Sequence, residues 1–172
     1  MGRPHRSLFV ALLFAVALLG AAPPPPRVSR VVIKKKAHTM DLFAKDDLVA
    51  SYSVAIGPGG DGHKKQEGDK VTPVGRYHVV SRGPSAYTVF MRIDYPNAED
   101  RRRFAHLKAK GDLPRAATIG GDIGIHGSPS QPMWKPAHKL VDWTLGCVAV
   151  DDDEIRDIAR RVPDGTLVDI ED

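Results

Sequence analysis

Residues 48–56 read Leu-Val-Ala-Ser-Tyr-Ser-Val-Ala-Ile, with Leu48, Ala50, Tyr52, Val54 and Ile56 at every second position. A period of two puts all five on one face of an extended chain, which is the pattern of a half-buried strand and not of a helix. Working outward, Val31 to Ile33 and the pair Met40 and Leu42 precede this stretch, and Arg76 to Ser81 and Val89 to Tyr95 follow it with the same character. Together they predict a twisted antiparallel sheet. Gly57 to Gly75 holds Pro58 and Pro73, is rich in Gly, Lys and Asp, and shows no apolar period. It is expected to be a long surface loop, and loops of that length are often functional.

Beyond the sheet, Asn97 has the side chain to cap a helix running through Arg103 to Leu107. Asp151 and Glu154 have capping-box spacing, and Ile155, Ile158, Ala159 and Val162 fall at i, i+3, i+4 and i+7, which predicts a short amphipathic helix. Gly165 ends it before a last strand, Thr166 to Ile170. Asp122 to His126 and Val148 to Val150 read as short strands. The expected fold class is mostly β with two short helices, an architecture that by itself says nothing about chemistry.

At 172 residues the chain has room for one ordinary domain. Residues 1–22 stand apart: Arg3 and Arg6 precede an uncharged apolar run from Leu8 to Ala22 that ends in small residues, the form of a secretory signal peptide or, if uncleaved, an N-terminal anchor. Residues 23–29, opening with Pro23 to Pro26, form a stiff spacer, and residues 30–172 form the domain proper. The expected location is therefore outside the cytoplasm, in the periplasm or cell envelope. Without residues 1–22 the basic count falls from 25 to 23 against 21 acids, so the domain is nearly neutral and is not expected to bind nucleic acid. It is expected to be a monomer.

The chain has one cysteine, Cys147. Exported proteins usually carry cysteines in pairs, so an unpaired thiol there needs a reason. Either it is a buried structural residue, as cysteines often are, or it is a nucleophile. A catalytic thiol needs a base nearby and amide hydrogens to hold an oxyanion. Gly146 permits a tight turn that would aim the amides of Gly146 and Cys147 at a reacting carbonyl. Of seven histidines, His126 alone ends a short apolar strand, Ile123-Gly124-Ile125, and is followed by Gly127 and Ser128. A rigid strand end suits a base. His38, His63, His78, His106 and His138 have surroundings typical of solvent-facing positions.

Ile125-His126-Gly127-Ser128, then Thr144-Leu145-Gly146-Cys147-Val148 after an intervening stretch, resembles the signature of the L,D-transpeptidase (YkuD-type) catalytic domain family. Ala55-Ile56-Gly57, Thr72-Pro73-Val74-Gly75-Arg76-Tyr77 and Tyr95-Pro96-Asn97 look like further landmarks of that family, so the resemblance runs from about Arg30 to Asp172. It implies a β-sandwich acting on peptidoglycan tetrapeptide stems without a cofactor or metal. Cys147 would be the nucleophile and His126 its base, with the Gly127 carbonyl orienting the imidazole and the Gly146 and Cys147 amides forming the oxyanion hole. Thr144, Leu145, Tyr95 and Ser128 would contact substrate. Leu145 and Ala149 stand where many members carry histidine and a polar residue such as arginine. The Trp143-Thr144-Leu145-Gly146-Cys147 variant resembles a subgroup in which some members hydrolyse wall attachments.

Two outcomes therefore stay open: an acyltransferase forming cross-links or attaching a wall protein, and a cysteine hydrolase cleaving such links. Lys64, Lys65, Gln66, Glu67 and Asp69 in the long loop are either contacts for acidic stem peptides or a solvated charged surface. A metal hydrolase built from His126, His138, Cys147 and one of Asp151 to Asp153 lacks any tight ligand spacing. A non-catalytic wall-binding module would keep the fold without needing His126 and Cys147.

Overall fold

The computed structural model describes residues 26–172, so the signal or anchor expected at residues 1–22 and the first three residues of the spacer, 23–25, lie outside the described residues. The order of elements is β1 Arg30–Lys34, β2 Thr39–Ala44, β3 Asp47–Ser53, β4 Gly75–Ser85, β5 Thr88–Ile93, α1 Ala98–Lys110, β6 Gly124–His126, β7 Val148–Ala149, α2 Asp152–Arg161 and β8 Leu167–Glu171, with a 3-10 turn at Pro132–Ala137. The fold is mostly β with two short helices, as the apolar periods predict. No helix among the described residues is long and apolar enough to cross a membrane.

All eight strands belong to one sheet in the order β3-β2-β1-β8-β4-β5-β6-β7. It is mixed and not antiparallel throughout: β1 pairs β8 in parallel and β6 pairs β7 in parallel. Both parallel pairs join segments far apart in the chain, which is what a parallel connection requires. Strand β4 is long enough to serve both halves of the sheet. Its start, Gly75 to His78, pairs β8, and beyond a register shift at Val79/Ser81 it pairs β5. Such a bulge bends a strand, and here it lets the sheet fold back over a single core containing Val31, Ile33 and Leu42 from one half and Met91, Ile125 and Val148 from the other. The two ends of the sheet then meet, because Ala55, just past β3, bridges Ala149 in β7 through two backbone hydrogen bonds of 2.9 and 2.8 Å.

The stretch that first suggested strands behaves in two parts. Val54, Ala55 and Ile56 are buried, whereas Leu48 is 57% exposed. A register shift between Leu42 and Phe43 interrupts the pairing of β2 with β3, and a one-residue slip turns a side chain to the other face. After β3, residues 57–74 form the expected loop without regular structure, held from outside by the buried Lys35. Its ammonium meets Asp172 at 2.7 Å and the Gly62 carbonyl at 3.2 Å, and the Asp172 carboxylate accepts the Gly62 amide at 2.9 Å.

Both helices start as their sequences specify. The Asn97 side chain accepts the amides of Glu99 and Asp100 at 2.8 and 3.2 Å, and the Asp100 carboxylate accepts the Asn97 amide at 3.0 Å. Helix α1 runs on past Leu107 to Lys110, where Gly111 takes the left-handed conformation that closes it. At α2 the Glu154 carboxylate accepts the Asp151 amide at 2.8 Å, and Ile155, Ile158 and Val162 are fully buried. The helix packs on β5 and β6 and so supports the strand that ends in His126. Ile158→Ala is expected to lower unfolding free energy by about 2–5 kcal/mol, the usual result of emptying a buried isoleucine site. Urea denaturation followed by circular dichroism checks this, and a loss below about 1 kcal/mol would contradict the packing described.

Candidate active site

Cys147 follows a turn that only glycine tolerates at Gly146. That residue has φ of +123°, and a Cβ there would lie 2.8 Å from the Val71 carbonyl oxygen. Thr144 ties the turn together: its hydroxyl donates to the Cys147 carbonyl at 2.7 Å and accepts the Gly146 amide at 3.2 Å. Ile56, just past β3, accepts the amides of Trp143 and Thr144 through its carbonyl at 3.1 and 3.2 Å, which fixes the turn to the closed end of the sheet. The Gly146 amide is thus already engaged by Thr144. No protein acceptor of the Cys147 amide is found among the described residues.

His126 ends β6. The parallel register pairs Ile125 with Val148 and His126 with Ala149, and side chains alternate along a strand, so Cys147 falls on the face that carries His126. The imidazole is 3% exposed. Its Nδ1 lies 2.8 Å from the Gly127 carbonyl oxygen, an acceptor, so Nδ1 carries the proton and Nε2 keeps its lone pair. Three aromatic rings surround it: Tyr87 at 4.5 Å between centroids, Trp143 edge-on at 5.6 Å and Phe90 stacked at 6.0 Å. Gly127 has no room for a side chain, since a Cβ would sit 2.6 Å from both the Asp152 carboxylate and the Tyr87 carbonyl oxygen.

Burial shifts the two groups in opposite directions. It pushes the Cys147 thiol up, against the Gly124 amide and the charges of Lys64 and Arg92, which pull it down. It pushes the His126 imidazole down, opposed by the Gly127 hydrogen bond and reinforced by the charge of a protonated His138. Both shifts favour the neutral forms, so a thiol, which donates to the Asp122 carbonyl at 3.5 Å, shares the cleft with a neutral imidazole.

The two residues line a cleft of about 500 Å³. Thr144 and Leu145 line it too, Leu145 as a 70% exposed rim residue. Tyr95 and Ser128 do not. Tyr95 is buried in the core, donating to the Ile119 carbonyl at 3.2 Å, and Ser128 is buried with its amide on Asp152 at 3.2 Å. From the long loop, Lys64 and Glu67 reach the cleft, whereas the Lys65 and Gln66 amides donate to Asp69. His138, read from the sequence as solvent-facing, is 4% exposed; its Nε2 meets Asp151 at 2.8 Å and its ring packs edge-on to Trp143. Among the described residues no three His, Cys, Asp or Glu side chains converge as metal ligands. Tyr87, Phe90 and Asp122 also line the cleft and were not visible in the sequence, because nothing in their local context distinguishes them. Trp143 could have been found, since it abuts the Thr144–Cys147 motif.

Over 151 residues the chain is 26% identical to a protein of Bacillus subtilis (strain 168) named as the L,D-transpeptidase YqjB, covering 87% of this chain and 74% of that one. In fold it is similar to the helical cell shape determining protein Pgp2 from Campylobacter jejuni, with TM-score 0.63, 24% identity and 86% of this chain covered. It is also similar to Bd1075 of Bdellovibrio bacteriovorus, with TM-score 0.57, 23% identity and 84% covered. The chain spans about half the length of each of these two solved chains, 48% in both cases. The model of one family, YkuD, matches residues 29–170. Because that match runs from β1 to β8 and takes in both the histidine strand and the cysteine turn, the chain belongs to the L,D-transpeptidase catalytic domain family.

Proposed function

We propose that the chain is an exported cysteine acyltransferase, an L,D-transpeptidase acting on peptidoglycan tetrapeptide stems through a thioester on Cys147. The observation that carries this reading is the 2.8 Å hydrogen bond from His126 Nδ1–H to the Gly127 carbonyl, which leaves Nε2 as a base in the cleft that holds the only cysteine. A backbone carbonyl here does the orienting that a carboxylate does in other triads, without adding a negative charge beside the thiol.

The chemistry follows from the neutral resting pair. His126 Nε2 takes the proton from Sγ as sulfur attacks the carbonyl carbon preceding the terminal D-alanine. The oxyanion that forms is held by the Cys147 amide, with the Gly146 amide occupied by Thr144 until the turn adjusts. Collapse breaks the C–N bond, and the imidazolium returns its proton to the leaving amine. An amine of a neighbouring stem, or of a wall-attached protein, is then deprotonated by His126 and attacks the thioester, which forms the new amide and restores the thiol. Water in place of the amine gives the hydrolase outcome by the same path. No step calls for a cofactor. A leader at residues 1–22 would place this chemistry in the periplasm, where the stems are.

Incubation of the purified domain with sacculi, followed by mass analysis of muropeptides, tests the assignment: new cross-linked species mean transfer, and trimmed stems or released links mean hydrolysis. Cys147→Ala is expected to abolish either product while leaving the fold intact. His126→Ala should slow turnover by about a hundredfold or more, as loss of a positioned base does. Full turnover in Cys147→Ala would end the proposal.

The pH dependence has a definite sign. With the thiol held above its ordinary value, the thiolate fraction grows about tenfold per pH unit through the neutral range. Alkylation of Cys147 by iodoacetamide should therefore climb steadily from about pH 7 to pH 9. A rate that stays level over that span would reveal a standing thiolate–imidazolium pair and contradict the neutral resting state.

A further inference from the structure

A substrate stem is anionic, and Leu145 and Ala149 bring no charge to the cleft. Among the residues that line the cleft, Lys64 is the one Lys or Arg. Arg92 lies nearby but is half exposed and paired with Asp122 at the rim. Lys64 is 7% exposed, and its ammonium meets Asp69 at 2.5 Å. An ammonium has three donors, yet Asp69 is the sole acceptor of Lys64 Nζ among the described residues. Lys35, the other buried lysine, has both Asp172 and the Gly62 carbonyl.

Asp69 is committed elsewhere as well. It accepts the amides of Lys65, Gln66 and Val71 at 2.7, 3.1 and 3.0 Å. Those amides are neutral, so Asp69 offsets the charge of Lys64 but fills only one of its three donors. A buried cation with unfilled donors on a cleft wall is costly in the empty protein and becomes favourable when an anion arrives. The position is fixed relative to the nucleophile. The Val71 carbonyl abuts Gly146, and the Thr72 hydroxyl lies between the Gly57 amide at 3.0 Å and the Cys147 carbonyl at 3.5 Å. Lys64 is also close enough for its charge to pull the Cys147 thiol down.

We infer that Lys64, held by Asp69 in the wall of the Cys147 cleft, is the carboxylate-recognition residue, binding the free carboxylate at the end of the substrate stem. The inference rests on the stem-peptide reading above and adds to it a residue and a ligand group: the carboxylate is gripped from the 57–75 loop and not from the strand after the cysteine.

Two synthetic tetrapeptide stems, one ending in a free carboxylate and one in a carboxamide, test this with the described chain. Binding is measured by calorimetry on Cys147→Ala protein, and turnover on the protein with its cysteine. The acid should bind about tenfold or more tightly than the amide, the usual scale of a charge-assisted hydrogen bond, and the same ratio should appear in KM. Lys64→Met should bring the two peptides to equal affinity, and Lys64→Arg, which keeps the charge and the Asp69 pair, should restore part of the preference. Because the readout is a ratio of two ligands on one protein, a general loss of stability in Lys64→Met does not imitate it. If Lys64→Met keeps the full preference for the acid, the inference fails while the stem-peptide reading stands. If the parent protein neither binds nor processes either peptide, the reading beneath it fails too.

Discussion

The backbone pairing of Ala55 with Ala149 is the constraint on which the site depends. It joins the two ends of an eight-stranded sheet, and in doing so it presses the chain after β3 against the chain around β7. The neighbouring Ile56 carbonyl then receives Trp143 and Thr144, and Gly57 passes so close to Gly146 that a Cβ on Gly57 would lie 3.0 Å from its nitrogen. A two-residue strand such as β7 has little pairing of its own. It is held because β6 pairs it in parallel on one side and Ala55 bridges it on the other, which leaves the cysteine turn rigid where a free loop would be mobile.

That rigidity has an electrostatic counterpart. The imidazole is buried and the thiol half-buried in the same cleft, and loss of solvent favours the uncharged form of each. A site with two neutral partners does not hold a thiolate open to oxidants while waiting for substrate. The aromatic rings of Tyr87, Phe90 and Trp143 keep the imidazole in place and dry, and the single hydrogen bond to Gly127 selects its tautomer. Glycine at 127 is what permits this, because Asp152 and Tyr87 occupy the space of any side chain there.

The local rules served well where the structure is local. Both helix starts follow from a capping residue and a carboxylate three positions on, and α2 buries the residues its period selects. They served less well where a distant strand intervenes. Leu48 follows the alternation in sequence and yet points to solvent, because Val49 beside it is the extra residue of a bulge opposite Leu42 and Phe43, which only the pairing with β2 defines. The parallel pairings escaped notice for the same reason, since alternation reports which face is buried and not which neighbour covers it. His138 reads as an ordinary polar position, and only the arrival of Trp143 and Asp151 encloses it.

By itself the sequence determined the strands, the two helix starts and the loop at residues 57–74, and it singled out His126 and Cys147 as the candidate pair. Each of these rests on a periodicity or on neighbours within a few residues, where the chain's own stereochemistry decides. Tertiary structure alone decided that the sheet closes, that Tyr87, Phe90 and Trp143 surround His126, that Tyr95 and Ser128 are buried away from the cleft lining, and that Lys64 enters its wall. Those outcomes depend on the register of strands from opposite ends of the chain. A one-residue change in that register would turn the strand residues Phe90 and His126 to the other face without altering any local pattern.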